Sequence, residues 1–390
     1  MMRQVKLGAA LFLSAAGALA LEIVAGRLLA PYAGMSLYSW TSIIAVVLAG
    51  LSAGHWLGGR MAGPGVAAQR LERRLALAFL AASLATLAVL LLLRLLAGPL
   101  LGSGLAPIPA LLLLAMALFF LPSLFAGLVS PALSKLALDA GPEGGSGRVL
   151  GRMYALGALG SIFGTLAAGL LLLSWLGSTA TVIGTALLYA ALGLLFLRRP
   201  VLAPLAAFAG LLAGLGAWGA KLQAFASPCR IESGYFCLRI ADFSPESGRE
   251  SAVLVLDHLG HGINDRLEPR LLYSPYLHLA DELASLRFGR EAISAFFIGG
   301  GAYTLPRAWL ETYAKPDLRV AEIDPAVTKA AQEHLWLDLK PGLVIDHRDA
   351  RVALAALPPR PHFDVVFGDA FHDIGIPAHL VTREFHREIA

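Results

Sequence analysis

Hydrophobic positions fall into two regimes along the chain. Up to about residue 220 they form long apolar runs with polar residues confined to the gaps, and after about residue 229 the runs shorten and alternate with polar stretches. A helix needs about 20 mostly apolar residues to cross a hydrocarbon core. Seven stretches reach that length, near 7–26, 39–59, 75–97, 107–137, 149–175, 178–197 and 201–219, which predicts a multi-pass helical bundle over residues 1–220. The fourth carries Pro122 and Pro131, so a kinked, tilted or partly re-entrant segment is expected there, and the count of about seven is open by one. The first stretch also reads as a signal peptide, with Arg3 and Lys6 ahead of an apolar run that reaches Ala18-Leu19-Ala20. The spans that follow favour a retained helix.

The second regime has the pattern of a sheet protein. Two β-rich runs, 229–240 and 251–257, flank the turn-forming Ser244-Pro245-Glu246-Ser247-Gly248 and predict a hairpin region over 221–265. A helix is expected at 271–286. Strands at 292–298, 319–323, 342–346 and 363–367 then alternate with helices at 305–313, 325–335 and 350–357. Such alternation predicts a parallel, doubly wound α/β domain of Rossmann-like type over 266–390.

Composition separates the halves further. The chain is 57% apolar and 15% charged, against about 25% charged in ordinary soluble domains. Residues 1–220 hold 13 Lys or Arg and four acids, Glu22, Glu72, Asp139 and Glu143, while the remainder holds 18 bases and 23 acids. The basic pI near 9.1 therefore comes from loops of the apolar half, and a nucleic-acid partner is not expected. Bases crowd the even connections: Arg60, Arg70, Arg73 and Arg74, then Lys135, Arg148 and Arg152, then Arg198 and Arg199. By the positive-inside rule these face the cytoplasm, so seven spans put the tail outside, and six or eight put it inside. Glu22 and His55 are costly in lipid, and Glu22 reads either as a proton or cation site or as an interfacial partner of Arg27 or Arg60. Gly50, Gly54 and Gly58, and likewise Gly160 and Gly164, recur every four residues, which points to close helix packing.

In a doubly wound sheet the chemistry gathers at the carboxyl ends of the strands. The first of the alternating strands is followed by Gly299-Gly300-Gly301, where backbone amides can approach a ligand. The second ends in Glu322-Ile323-Asp324-Pro325, about 20 residues on, where an acid can hold ribose hydroxyls. The third ends in Asp346-His347-Arg348-Asp349-Ala350-Arg351 and the fourth in Gly368-Asp369-Ala370-Phe371. Glycine loop plus acid at this spacing points to a nucleoside-bearing cofactor, and a helix cap is the plainer role for any single acid.

These residues resemble the spermidine synthase family. The resemblance lies in Glu232-Ser233-Gly234-Tyr235, Leu256-Asp257, Gly299-Gly300-Gly301, Glu322-Ile323-Asp324-Pro325, Asp349-Ala350-Arg351 and Asp369, in order. Ala302-Tyr303-Thr304-Leu305-Pro306-Arg307 and the segment from Pro377 to Phe385 look closer to its membrane-fused branch, often labelled fused major-facilitator-like/spermidine synthase. The resemblance implies a membrane-bound aminopropyltransferase that moves an aminopropyl group from decarboxylated S-adenosylmethionine to a polyamine without a metal. It implies that Glu322 holds the ribose and Asp349 the adenine, and that Asp369 takes the proton of the attacking amine, with Tyr235 and Tyr273 lining the amine side. The implied setting is a cell membrane, with the lipid bilayer as partner and a homo-oligomer open.

The sequence also departs from that family. Ala302 and Tyr303 stand where an Asp should receive the aminopropyl ammonium, Phe236 and His261 replace expected Gln residues, Ser274-Pro275 replaces a His-Glu pair, and Ala370-Phe371-His372-Asp373 replaces Ser-Ser-Asp-Pro. Nucleoside-side residues survive better than amine-side ones, which keeps two alternatives: a methyltransferase using S-adenosylmethionine, and a transporter or sensor that binds a polyamine or nucleoside without turnover. Only four parallel strands precede Ala390, fewer than this fold usually has, so either the chain is cut or its sheet is incomplete, and an incomplete sheet would leave an open edge. Cys229 and Cys237 are read equally as two thiols or as a disulfide. Nine of the ten His lie in the tail, with no convincing metal-ligand spacing.

Overall fold

The computed structural model of the chain describes residues 2–142, 145–197, 202–358, 362–371 and 375–390. Expectations attached to Glu143, Arg198, Arg199, His372 and Asp373 lie outside the described residues. The chain divides into two units, Met1–Ser227 and Pro228–Ala390.

The first unit is helical: α1 (Met2–Ala33), α2 (Leu37–Met61), α3 (Ala68–Leu101), α4 (Pro107–Asp139), α5 (Ser146–Ala167), a π-helical turn at 168–172, α6 (Leu173–Phe196) and α7 (Leu202–Lys221). Six continuous helices among the described residues are long and apolar enough to cross a membrane, because Ser146–Phe196 runs as one element of 51 residues. Within it Gly177 leaves helical geometry, at φ 79° and ψ 172°. That break falls between the fifth and sixth predicted stretches, so the expected seven differ from the observed six by one kink. α4 runs through Pro122 and Pro131 as one helix of 33 residues.

Close backbone approach holds this bundle together. A Cβ on Gly54 would lie 2.2 Å from the Leu124 carbonyl oxygen of α4, and one on Gly164 would lie 2.1 Å from that of Ala16 in α1. The four-residue glycine spacing is thus a packing device, as expected where lipid removes the hydrophobic drive between helices. Glu72 is buried in α3 and pairs with Arg3 at 3.1 Å. α5 buries Met153, Gly160 and Gly164 and turns Leu159, Ile162, Phe163 and Leu166 outward, a face that hydrocarbon would cover.

The second unit begins with an antiparallel sheet, β1 (Ile231–Glu232), β2 (Cys237–Asp242), β3 (Ser251–Leu256) and β4 (Leu259–Asp265), paired in that order. A short helical turn, α8 (Ser244–Ser247), joins β2 to β3. The expected hairpin is β2–β3, whereas β4 was hidden by Gly260 and Gly262, which interrupt its alternation. Cys229 and Cys237 form a disulfide across the β1–β2 turn, with Cα atoms 5.2 Å apart.

There follow α9 (Pro275–Phe288), β5 (Ala292–Ile298), α10 (Thr304–Thr312), β6 (Lys315–Ala321), α11 (Pro325–His334), β7 (Leu343–Asp346), α12 (Ala350–Ala355), β8 (Val365–Gly368), a 3-10 turn at 378–380 and α13 (Arg383–Ile389). The strands form a parallel sheet in the order β7-β6-β5-β8. Side chains of β5 alternate across it: Ile293, Ala295 and Phe297 join the core with Trp309 and Val327, and Phe296 and Ile298 meet Ala353 and Phe385 on the other face. A strand covered on both faces reads as an unbroken apolar run, and β5 has the bounds expected of it. β6 starts four residues earlier than expected, because Lys315 and Asp317 disguise its first half, and it ends before Glu322.

The glycine contacts give a direct test. Gly54→Ala forces α2 and α4 apart and is expected to lower the thermal midpoint of the protein in detergent, in line with overpacking costs of about 1–3 kcal/mol. Gly59→Ala, with nothing within 4 Å of its added methyl, is expected to leave the midpoint unchanged or raise it through helix propensity. Equal behaviour of the two variants would contradict the packing.

Candidate functional site

Strand order reverses between β5 and β8, so the loops leaving their carboxyl ends part and open a crevice. The β5 loop is the glycine triplet. Gly299 donates its N–H to the Ala321 carbonyl at 2.9 Å and sits at φ 95°, and a Cβ there would lie 2.9 Å from the Asp369 carbonyl oxygen. A Cβ on Gly300 would meet the Tyr303 ring at 2.5 Å. Tyr303 is itself buried at the start of α10, with its hydroxyl 2.6 Å from Thr328 Oγ1. Bare backbone at 299 and 300 is therefore demanded by the neighbouring β8 loop and by the tyrosine ring.

Glu322 follows β6 and is only 6% exposed. Its Oε2 accepts from the Gly300 N–H at 2.8 Å and its Oε1 from the Asp324 N–H at 2.9 Å. Burial pushes its carboxyl above the usual range, and the backbone donors oppose that shift. Asp324 caps α11 by accepting from the Ala326 N–H at 2.9 Å and also accepts from Ser233 Oγ, which ties the β1–β2 turn to the parallel sheet.

Asp349 caps α12, accepting from the Arg351 N–H at 2.9 Å and the Val352 N–H at 3.3 Å through Oδ1. His379 Nε2 lies 2.7 Å from its Oδ2. Burial opposes its charge, but the His379 contact and the helix amides outweigh it and hold the carboxyl below the ordinary range. The plainer role of helix cap is thus present, with a second contact added.

Asp369 follows β8 and accepts from the Tyr276 hydroxyl at 2.8 Å. Burial raises its carboxyl above the usual range, and Tyr276 partly counters that. Tyr276 was not expected at the site. Its signal was the Tyr273–Tyr276 pair, which sequence could not resolve until Ser274 and Pro275 fixed where α9 starts. Tyr273 lies elsewhere: its hydroxyl donates to Asp265 Oδ2 at 3.2 Å, its ring meets Phe243 edge-on at 5.6 Å, and Asp265 is paired with Arg249 at 2.7 Å.

Two adjoining cavities make up the crevice. One, of about 500 Å³, is lined by Tyr235, Gly299, Gly301, Glu322, Ile323, Asp349 and Asp369 among others. The other, of about 600 Å³, is lined by the whole triplet, Tyr276, Asp369 and largely apolar side chains. His261, Gly299, Gly301, Asp369 and Phe371 line both, so Asp369 stands where the lobes meet. Burial, and then the neighbouring His258, lowers the affinity of His261 for a proton. The structure thus gathers Tyr235, the triplet, Glu322, Asp349 and Asp369 around one crevice and leaves Tyr273 outside it. Such a crevice can hold a flat, hydroxylated ligand beside the acids of one lobe and present a second molecule to Asp369 from the other.

No family model matches the chain. A polyamine aminopropyltransferase of Vibrio vulnificus (strain CMCP6) is 32% identical over 123 residues, which is 31% of this chain and 40% of that protein. A probable polyamine aminopropyl transferase of Bifidobacterium longum (strain NCC 2705) is 32% identical over 103 residues, 26% of this chain and 22% of that protein. The chain therefore spans less than half the length of these curated relatives. The crystal structure of a probable spermidine synthase from Corynebacterium glutamicum ATCC 13032 aligns with 39% of this chain and 55% of its own, at 19% identity and a TM-score of 0.35. Over 123 residues, 31% of its length, the chain is thus similar to a polyamine aminopropyltransferase.

Proposed function

We propose that the protein is a membrane-attached transferase that moves an aminopropyl group from decarboxylated S-adenosylmethionine to an amine. The observation that carries this reading is the placing of Glu322 and Asp369 on either side of the glycine loop, in one crevice. Names of the relatives support the transfer class and a polyamine acceptor, and the six candidate spans support attachment to a membrane.

In this reading the nucleoside occupies the smaller lobe, with ribose hydroxyls toward Glu322 and adenine toward Asp349. Glu322 spends one acceptor position of each oxygen on an amide and keeps lone pairs for those hydroxyls. The sulfonium carbon then lies near the lobe junction. A neutral amine nitrogen in the larger lobe attacks that carbon, the C–N bond forms, the C–S bond breaks, and its electron pair stays on sulfur as methylthioadenosine leaves. Asp369 accepts the proton that the nitrogen sheds. Tyr276 orients the carboxylate, and the low polarity around it makes it a better base than an exposed Asp.

A second reading is methyl transfer from S-adenosylmethionine. It is favoured by Ala302, buried where the resemblance implies an ammonium-binding Asp. Purified protein incubated with either cofactor and an amine separates them: methylthioadenosine release supports aminopropyl transfer, adenosylhomocysteine release supports methyl transfer, and neither product contradicts both.

Asp369→Asn is expected to lower turnover by about 10²–10⁴-fold, the range for losing a general base, while leaving nucleoside affinity near normal. Near-normal turnover would remove Asp369 from the chemistry. Glu322→Ala is expected to raise the Kd for methylthioadenosine at least tenfold by isothermal titration, and an unchanged Kd contradicts its role. Because burial raises the Asp369 carboxyl, kcat/KM should fall on acidification with an inflection above the ordinary Asp value of about 3.9. Tyr276→Phe removes a hydrogen bond to the ionised form, so this inflection should move to higher pH. An unmoved or lowered inflection contradicts the pairing.

A further inference from the structure

The 3-10 turn at 378–380 is seated by its last residue. Leu380 is buried with Phe385 against Ala350 and Ala353 of α12, and Arg351 ties α12 to α13 through both carboxylate oxygens of Glu388, at 2.7 and 3.1 Å. His379, one residue earlier, reaches the loop after β7, where its Nε2 lies 2.7 Å from Asp349 Oδ2. Burial opposes the charge on Asp349 and is outweighed, so its carboxyl is ionised at neutral pH. An ionised carboxylate only accepts, so the imidazole nitrogen that faces it carries a proton. Asp349 Oδ1 is taken by the amides of Arg351 and Val352, and Oδ2 keeps one lone pair beyond the histidine. Both side chains line the smaller lobe.

We propose that His379 is a positioning residue that makes Asp349 selective for a 6-aminopurine, by fixing Oδ2 so that its remaining lone pair meets one amino hydrogen of the base. The inference deepens the reading in which adenine lies toward Asp349 and rests on it. A carboxylate capped through one oxygen can still tilt about its Cβ–Cγ bond and bind water at the other. The histidine stops that tilting before the ligand arrives, so binding does not bear the cost of ordering the side chain. A purine without the amino group offers Oδ2 no donor and leaves a dehydrated lone pair unpaired, which weakens binding. Glu322, which meets the ribose in this reading, is untouched by the pair, so the effect is confined to the base.

The test uses the full chain in detergent and compares, by isothermal titration, methylthioadenosine with its analogue lacking the 6-amino group. The unaltered protein is expected to prefer methylthioadenosine by about tenfold or more, the range for a hydrogen bond to a charged group. His379→Ala is expected to cut that preference to about threefold or less, entirely through weaker binding of methylthioadenosine, with the affinity for the analogue unchanged. His379→Gln, whose amide N–H can stand in for the imidazole Nε2–H, is expected to restore the preference. Asp349→Ser keeps a cap for α12 but lacks the reach, and in that background His379→Ala is expected to change neither affinity further. An unchanged preference in His379→Ala overturns the proposal, as does equal weakening of both ligands or failure of Gln to restore what Ala removes. If Asp349→Ser keeps the preference, the assignment of adenine to Asp349 fails and takes the proposal with it. If Asp349→Ser loses the preference and His379→Ala does not, only the role of the histidine fails. Binding of neither nucleoside overturns both.

Discussion

Glu322 follows β6 with its carboxylate out of water, and each of its oxygens accepts from a backbone amide, one from Gly300 and the other from Asp324. Those amides belong to the loops after β5 and β6, so one side chain sets the spacing of the two turns that wall the crevice. Leaving either donor unpaired inside the fold would cost about 1–3 kcal/mol. The tie reaches further through Asp324, which caps α11 and accepts from Ser233 in the antiparallel sheet. The β1–β2 turn that carries Tyr235 is thereby fixed to the edge of the smaller lobe, and the Cys229–Cys237 bridge closes the same turn.

The two lobes have opposite chemistry around a shared residue. The smaller one meets Glu322 and Asp349, each already oriented by backbone amides, which suits the hydroxyls and amino group of a nucleoside. The larger one is mostly apolar and carries Asp369, its tyrosine partner, His261 and Thr304.

Much of this was legible in the sequence wherever a single physical pressure acts. β5 is buried on both faces, so its run is unbroken and its bounds are read directly. The Asp324-Pro325 pair marks the start of α11, because a cap and a proline at the first helical position have no better place. The glycine spacing in α2 and α5 reports backbone contact. Where pressures compete, the sequence is less legible. β4 is masked by two glycines, one of which must let Ala302 approach. The first half of β6 is masked by exposed charges. Tyr276 rather than Tyr273 meets Asp369 because the helix begins after Ser274, and a shift of three residues changes which ring faces the crevice. Two cysteines eight apart carry no signal of their own until the β1–β2 turn brings them together.

The central claim is that carboxylates delivered by successive parallel strands grip a thioether or sulfonium nucleoside, with its reactive carbon at Asp369. A crystal structure of the protein with methylthioadenosine tests it most directly. The account expects the ribose hydroxyls within hydrogen-bonding distance of Glu322, the adenine beside Asp349, and the sulfur beside the glycine triplet facing Asp369. A nucleoside bound away from Glu322, or turned so that its sulfur points away from Asp369, would contradict it.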